Sequence, residues 1–319
     1  MELLRDIMRL VRWSNLLFLA ALVYIMEKWV AVPILDRAAF GEQLPWYLLL
    51  LVILATVFIA AGGYVINDYF DVKIDRINRP DEVVVTRTVS KPAAMRLSVS
   101  LSAFGIVCGI VAAGLLRSMT IGILFVIVPG LLWFYSSSYK RLFLVGNVVI
   151  ALLAALTPLL VAMANVAQLQ RLYSSILPYT TLVQDLYAWL GGFALFAFLL
   201  TWIREIIKDM QDKMGDCEFE CHSMPVVWGE KWTKVFVTGL VVLTLAVIGH
   251  LWYHVLPFPI GWMSLSTRYI VLGVVTPLLG TIWLLWAAKI PSDYKTCQQL
   301  VKFTMLLGVL YSFCILRGL

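Results

Sequence analysis

Two groups of side chains have the types and spacing to do chemistry. One lies in INDYFDVKIDRINRP, residues 66–80, and the other in REIIKDMQDKMGD, residues 204–216. Read as a helix, the first places Asn67, Asp71 and Asp75 at i, i+4 and i+8 on one face, with Asp68 beside them. The second places Glu205, Asp209, Asp212 and Asp216 at i, i+4, i+7 and i+11, again a single stripe. Like charges at these spacings repel and destabilise a helix. Divalent cations are the natural compensation. Carboxylate and amide oxygens suit Mg²⁺, which commonly joins one or two carboxylates to substrate phosphates. The expected metal ligands are therefore Asn67, Asp68, Asp71, Asp75, Asp209, Asp212 and Asp216, with Asp71, Asp75, Asp212 and Asp216 as the acids expected to carry catalysis. Lys73, Arg76, Arg79, Lys140, Arg141, Lys208 and Lys213 flank them and supply positive charge for phosphate oxygens. A solvated helix end explains one such stripe well, and explains two in-register stripes poorly.

The elements that must position these groups are membrane spans. Of 319 residues, 61% are hydrophobic and only 14% charged, against roughly half and a quarter in soluble domains. Apolar stretches of spanning length fall near 14–34, 47–66, 94–115, 118–135, 142–164, 186–204, 235–254, 269–289 and 300–316. Pro80 marks the expected end of the helical extension carrying the first stripe. With the N-terminus inside, 19 of the 25 Lys and Arg fall in inner segments, and Lys28, Arg37, Arg117, Arg171, Arg268 and Arg317 lie at the outer ends. The net charge of +6 thus reads as positive-inside bias rather than nucleic-acid binding. Of the 19 acids, 12 fall in two inner segments, 67–93 and 205–234, following the second and sixth spans. That four-span offset hints at an internal duplication. The expectation is an all-α polytopic fold forming one domain over residues 1–319, in the cell (inner) membrane. The N-terminus and both acidic motifs are expected on the cytoplasmic face and the C-terminus on the other. Five scattered cysteines give no disulfide framework. The first apolar run, 13–34, is too long for a signal-peptide core.

The pattern Asn67-x3-Asp71-x3-Asp75 with Asp209-x2-Asp212-x3-Asp216 resembles the UbiA superfamily of intramembrane prenyltransferases. RWSN (Arg12, Asn15), YSSSYK (Tyr135, Lys140) and LVGN (Gly146, Asn147) resemble smaller elements of the same superfamily. The resemblance implies nine spans around a central cavity. It implies two Mg²⁺ ions gripping an allylic prenyl diphosphate, loss of diphosphate to leave an allylic carbocation, and capture by an acceptor. It further implies diphosphate contacts from Lys73, Arg79, Tyr135, Lys140, Arg141, Lys208 and Lys213, and substrate contacts from Arg12, Asn15 and Asn147. NDYFDVKIDRINRP is most similar to the branch containing digeranylgeranylglyceryl phosphate synthase and chlorophyll synthase. That branch continues RPIPSG, whereas here the chain reads RPDEVVVTRTVS, which lacks the small residues and the tight turn they imply. The NDYFDVKIDRINRP similarity makes a lipid-like molecule such as geranylgeranylglyceryl phosphate the leading acceptor, with an aromatic quinone precursor or a tetrapyrrole as alternatives. No nucleic acid and no obligate protein partner is implied.

Two other classes compete. A transporter would place ionisable groups near the bilayer midplane, and these spans are nearly free of them. A terpene cyclase or diphosphatase on the same scaffold would use the same acids with water or the substrate itself as nucleophile. Cys217, Cys221 and His222 are too compact a group for a typical zinc site. His250 and His254, beside Trp252 and Tyr253, read as interfacial anchors.

Overall fold

A computed structural model describes residues 2–256, 258 and 260–318. Among these residues there is no strand, only an isolated bridge between Val85 and Val89. A short helix α1 (Glu2–Leu10) precedes nine helices long and apolar enough to span a membrane. These are α2 (Trp13–Arg37), α3 (Trp46–Asn78), α4 (Lys91–Leu116), α5 (Met119–Ser137), α6 (Val145–Tyr173), α7 (Leu182–Glu218), α8 (Gly229–His254), α9 (Leu265–Ala287) and α10 (Pro291–Arg317). The chain is a multi-pass membrane protein, with each span where hydropathy places it. Its contacts divide into two compact units, Met1–Lys140 with Leu156–Gly191, and Arg141–Ala155 with Gly192–Leu319.

Two helices are far longer than their apolar cores. α3 has 33 residues and α7 has 37. At 1.5 Å per residue they reach roughly 50 and 55 Å, against a hydrocarbon thickness of about 30 Å. The surplus at the C-terminal end of each helix carries its acidic stripe. Asn67 to Asp75 and Glu205 to Asp216 are thus helical throughout, and α3 stops at Asn78, two residues before Pro80.

In the first unit, α3 is seated against α4 by close backbone approach. A methyl group on Gly62 would lie 2.9 Å from the Ser98 carbonyl, and one on Gly105 would lie 2.9 Å from the Ala55 carbonyl. Ser98 Oγ donates to the Gly62 carbonyl at 2.8 Å. Small residues permit such an approach where lipid supplies no hydrophobic drive between helices. The contact at Gly62 fixes α3 little more than one turn before Asn67. Between α1 and α2 the chain breaks at Arg12, whose φ of 53° is left-handed. Within α2, residues Met26–Ala31 form a π-helical turn and the Val32 amide donates to the Glu27 carbonyl. Pro33 explains the widening, because it has no N–H to continue the regular ladder. The same arrangement recurs in α9, where Ile270–Val275 is π-helical before Pro277.

In the second unit a core of Leu200, Ile203, Ile207, Val237, Leu278 and Tyr294 holds α7, α8, α9 and α10 together. Lys234, counted above among the inner-face cations, is in fact buried. It donates to the Ala288 carbonyl at 2.6 Å, pairs with Glu230 at 3.3 Å, and lies over the Tyr294 ring.

The segment after α3 corrects one expectation: a tight turn is present. The Thr86 amide donates to Val89 O at 2.8 Å and the Val89 amide to Val84 O at 3.2 Å. Val84, Val85 and Val89 are buried against Leu10, Val65 and Val72. The apolar run VVV therefore anchors a loop rather than forming a strand. Thr86 sits at the turn with φ 77°, a region a β-branched side chain adopts only at a cost. Its hydroxyl accepts from Arg76 Nη2 at 2.9 Å. Asn tolerates this region and keeps an acceptor for Arg76. Thr86→Asn is expected to stabilise the protein by about 0.5–1 kcal/mol, read as an upward shift of the thermal unfolding midpoint in detergent.

Candidate active site

In the first unit the acidic stripe is held by donors from distant sequence. Asn67 and Asp71 are buried, and Asn67 Nδ2 donates to Asp71 Oδ2 at 2.7 Å. Lys140, in the 3₁₀ turn Tyr139–Arg141 after α5, donates to the same oxygen. One carboxylate oxygen thus receives an amide and an ammonium, which meets the requirement that a buried charge be paired. Burial works against the Lys140 charge, but Asp71, with Tyr135 and Asp75 adding to it, more than restores it, and the lysine pKa is raised. Lys140 is therefore cationic across the physiological range.

A second pair stands beside the first. Arg12 Nη2 donates to Asp68 Oδ1 at 2.9 Å, and its guanidinium lies 4.9 Å from the Tyr64 ring centroid. Burial again opposes the charge, and Asp68 chiefly outweighs it, leaving the Arg12 pKa raised. The left-handed break at Arg12 is what turns this side chain from the α1–α2 junction toward α3. Lys73 is exposed, two residues on from Asp71 and so off the stripe. Arg76, also exposed, serves the Thr86 turn.

In the second unit, Asn147 at the start of α6 donates from Nδ2 to Asp209 Oδ2 at 2.8 Å. Glu205 and Asp216 are buried. Arg204 reaches Glu205 Oε1 at 2.5 Å, and Lys208 lies 3.9 Å from its other oxygen. Gln298 of α10 donates to Gln211 at 2.6 Å and so holds α7 beside Asp212. After α7 the Cys221 amide returns to Asp216 O at 2.9 Å, and the His222 amide donates to Arg141 O at 2.9 Å. Arg141 itself is exposed.

Several predicted residues are thus brought together: Asn67, Asp71 and Lys140 in one group, Arg12 with Asp68 in another, and Asn147 with Asp209 in a third. Among the described residues, no three His, Cys, Asp or Glu side chains form a ready-made metal group, and Cys217, Cys221 and His222 are no exception. The donor chemistry nevertheless fits a hard cation. Asn67 turns its amide nitrogen to Asp71, which leaves its carbonyl oxygen to a ligand, and every other expected donor is a carboxylate oxygen. Tyr64 and Gln298 were not foreseen. Neither has a sequence signal, since each matters only through a partner on another helix.

A model described as the UbiA prenyltransferase family matches residues 37–308. The chain belongs to this family. Among its UbiA relatives, digeranylgeranylglyceryl phosphate synthase of Methanosphaera stadtmanae is 30% identical over 200 residues, covering 62% of this chain and 64% of that protein. The synthase of Thermococcus kodakarensis is 31% identical over 201 residues, covering 63% and 64%. A solved structure of digeranylgeranylglyceryl phosphate synthase superposes with a TM-score of 0.63 at 24% identity over 100% of both chains. A UbiA homologue from Archaeoglobus fulgidus, solved with GPP and Mg²⁺ bound, gives a TM-score of 0.59 at 15% identity over 98% and 99%. These likenesses fix the fold as UbiA-like.

The two donors on Asp71 are expected to act as a unit. Lys140→Met should lower kcat/KM for a prenyl diphosphate by at least about tenfold, through loss of a charge-assisted contact and an unpaired Asp71. Combining it with Asp71→Asn should cost much less than the product of the two single effects. A steady-state double-mutant cycle measures this coupling.

Proposed function

We propose that this chain transfers a polyprenyl group from an allylic prenyl diphosphate to a lipid-like acceptor, with geranylgeranylglyceryl phosphate the leading candidate. The observation that carries the reading is the delivery of two acidic stripes on unbroken helices that outrun their apolar cores, with Asp71 and Asp209 already held by nitrogen donors. Membership of the family supports the reaction class. The names of the archaeal relatives support the acceptor, and the A. fulgidus homologue supports Mg²⁺ with a short prenyl diphosphate.

Two Mg²⁺ ions would be held by Asn67, Asp68, Asp71, Asp75, Asp209, Asp212 and Asp216. Bound there, they supply charge neutralisation that lets diphosphate depart from the allylic carbon. The chain's own residues do the rest. Lys140 keeps its charge and, with Arg79, Lys208 and Lys213, offers donors to phosphate oxygens. Asn67 and Asn147 fix the orientation of Asp71 and Asp209, so that donor oxygens need no rearrangement when substrate arrives. Arg12 balances Asp68 and holds it in place. The apolar helices accept the isoprenoid tail. Once the carbon–diphosphate bond has broken, the acceptor oxygen bonds to the allylic carbon and its hydroxyl proton passes to the departing diphosphate. A phosphate-bearing acceptor needs further cations, and Arg5, Arg9, Arg87, Lys91 and Arg96 supply them on the proposed cytoplasmic face. The proposed reaction treats residues 1–319 as one catalytic domain.

The runner-up acceptor is an aromatic ring, favoured by the departure from RPIPSG after Pro80. Purified protein given labelled geranylgeranyl diphosphate, Mg²⁺ and a panel of acceptors distinguishes the two, because a hydroxyl acceptor yields an ether and a ring carbon yields a C–C bond. The expected product is the ether lipid. Transfer only to aromatic acceptors would replace the acceptor and leave the metal reading standing.

Asp71→Ala and Asp212→Ala are each expected to abolish transfer, by more than about a thousandfold, in protein that still elutes as a folded monodisperse species. Turnover within tenfold of the unmodified chain in both variants would sink the two-motif site. Sidedness has its own test. In a Cys217→Ser background, single cysteines at the exposed positions Thr86 and Glu220 should both label from the cytoplasmic side with an impermeant maleimide. Labelling from opposite sides would remove the shared site.

A further inference from the structure

Outside the acidic stripes, one carboxylate is fully buried in a span. Glu27 lies in the π-helical turn of α2, with no exposed surface. Its Oε2 accepts from Asn165 Nδ2 of α6 at 2.6 Å. Its other oxygen, Oε1, is buried with no hydrogen-bond partner. Asn165, also fully buried, gives its amide nitrogen to Glu27 and to the Val161 carbonyl, and its Oδ1 has no partner. Gln168, one turn further along α6 on the same side, is buried with its Oε1 equally unpartnered. All three residues belong to the first compact unit. Three acceptor oxygens, one of them from a carboxylate, are thus enclosed without a donor.

This arrangement restricts what occupies it. A buried unpaired charge is costly, and an ionisable group inside a span points to function. The nearest cation in sequence, Lys28, is spent on Glu42. A water molecule would offer donors but leave the charge uncompensated. A proton on Glu27 would remove the charge but supply a single donor, leaving other oxygens unmet. A divalent ion would reverse the imbalance by leaving a net positive charge. A single monovalent cation answers both needs, one charge and several oxygens. The π-helical turn fits this reading, since such irregularities recur at functional sites.

We propose that Glu27, Asn165 and Gln168 bind one alkali metal cation between α2 and α6, independently of the Mg²⁺ chemistry at the acidic stripes. The ion would staple the two helices through their buried oxygens. The test uses the full chain in lipid nanodiscs with EDTA present, at constant ionic strength, in choline chloride with NaCl or KCl exchanged in. The thermal unfolding midpoint is expected to rise saturably by roughly 2–5 °C with sodium or potassium relative to choline. Glu27→Gln should abolish the cation dependence. Gln168→Leu, which removes one oxygen and leaves the charge, should raise the half-saturating concentration by about tenfold; it carries the test if Glu27→Gln does not fold. Identical midpoints in all three salts would overturn the proposal, as would an undiminished response in Glu27→Gln or an unshifted half-saturation in Gln168→Leu. A midpoint that follows pH between 5 and 9 in choline and ignores both alkali cations would identify a proton as the occupant and overturn it equally.

Discussion

Carboxylates at the end of an apolar helix must be given partners, and the rest of this structure follows from that constraint. Asp71 is almost without solvent, and Asn67 and Lys140 converge on one of its oxygens. That convergence fixes the end of α5 and the following 3₁₀ turn. Asp68 imposes a similar demand, met by a left-handed kink at Arg12 that sets the angle between α1 and α2. Asp209 draws in Asn147 and so fixes the start of α6. The connections that carry Arg12, Lys140 and the start of α6 are each tied to one of these charges.

In the proposed reaction, the carboxylates held by nitrogen donors are the same ones that would hold metal. An ammonium and an amide hold a carboxylate oriented without the charge density of a divalent ion. This keeps the stripes compatible with a folded helix before substrate and metal arrive. The like-charge repulsion that marks the stripes in sequence is thereby distributed over pairs, each separately satisfied. Stability and preorganisation come from the same contacts.

Much of this was legible beforehand. The nine spans follow from hydropathy, because a bilayer demands about twenty apolar residues whatever packs around them. The stripes follow from helical periodicity, which α3 and α7 obey without a break. What sequence could not supply is pairing at a distance. Asp71 and Lys140 are 69 residues apart, and Arg12 and Asp68 are 56 apart. Nothing in local spacing links them. The tight turn after α3 was not legible for a related reason, since it is held by burial of Val84, Val85 and Val89 against Leu10 and Val65 rather than by small residues. In sequence Glu27 is a lone acid interrupting an apolar stretch, and its partner Asn165 lies 138 residues away.

The extra length of α3 and α7 bears on where the products go. Each helix is roughly 20–25 Å longer than is needed to cross hydrocarbon, and its acids begin where that surplus begins. Bond cleavage there would take place at a phase boundary, with one fragment greasy and the other multiply charged. In the proposed reaction the prenylated product would form with its chains already in the bilayer, and the inorganic fragment would face bulk water. Partition between the two phases would then separate the products without a transport step for either.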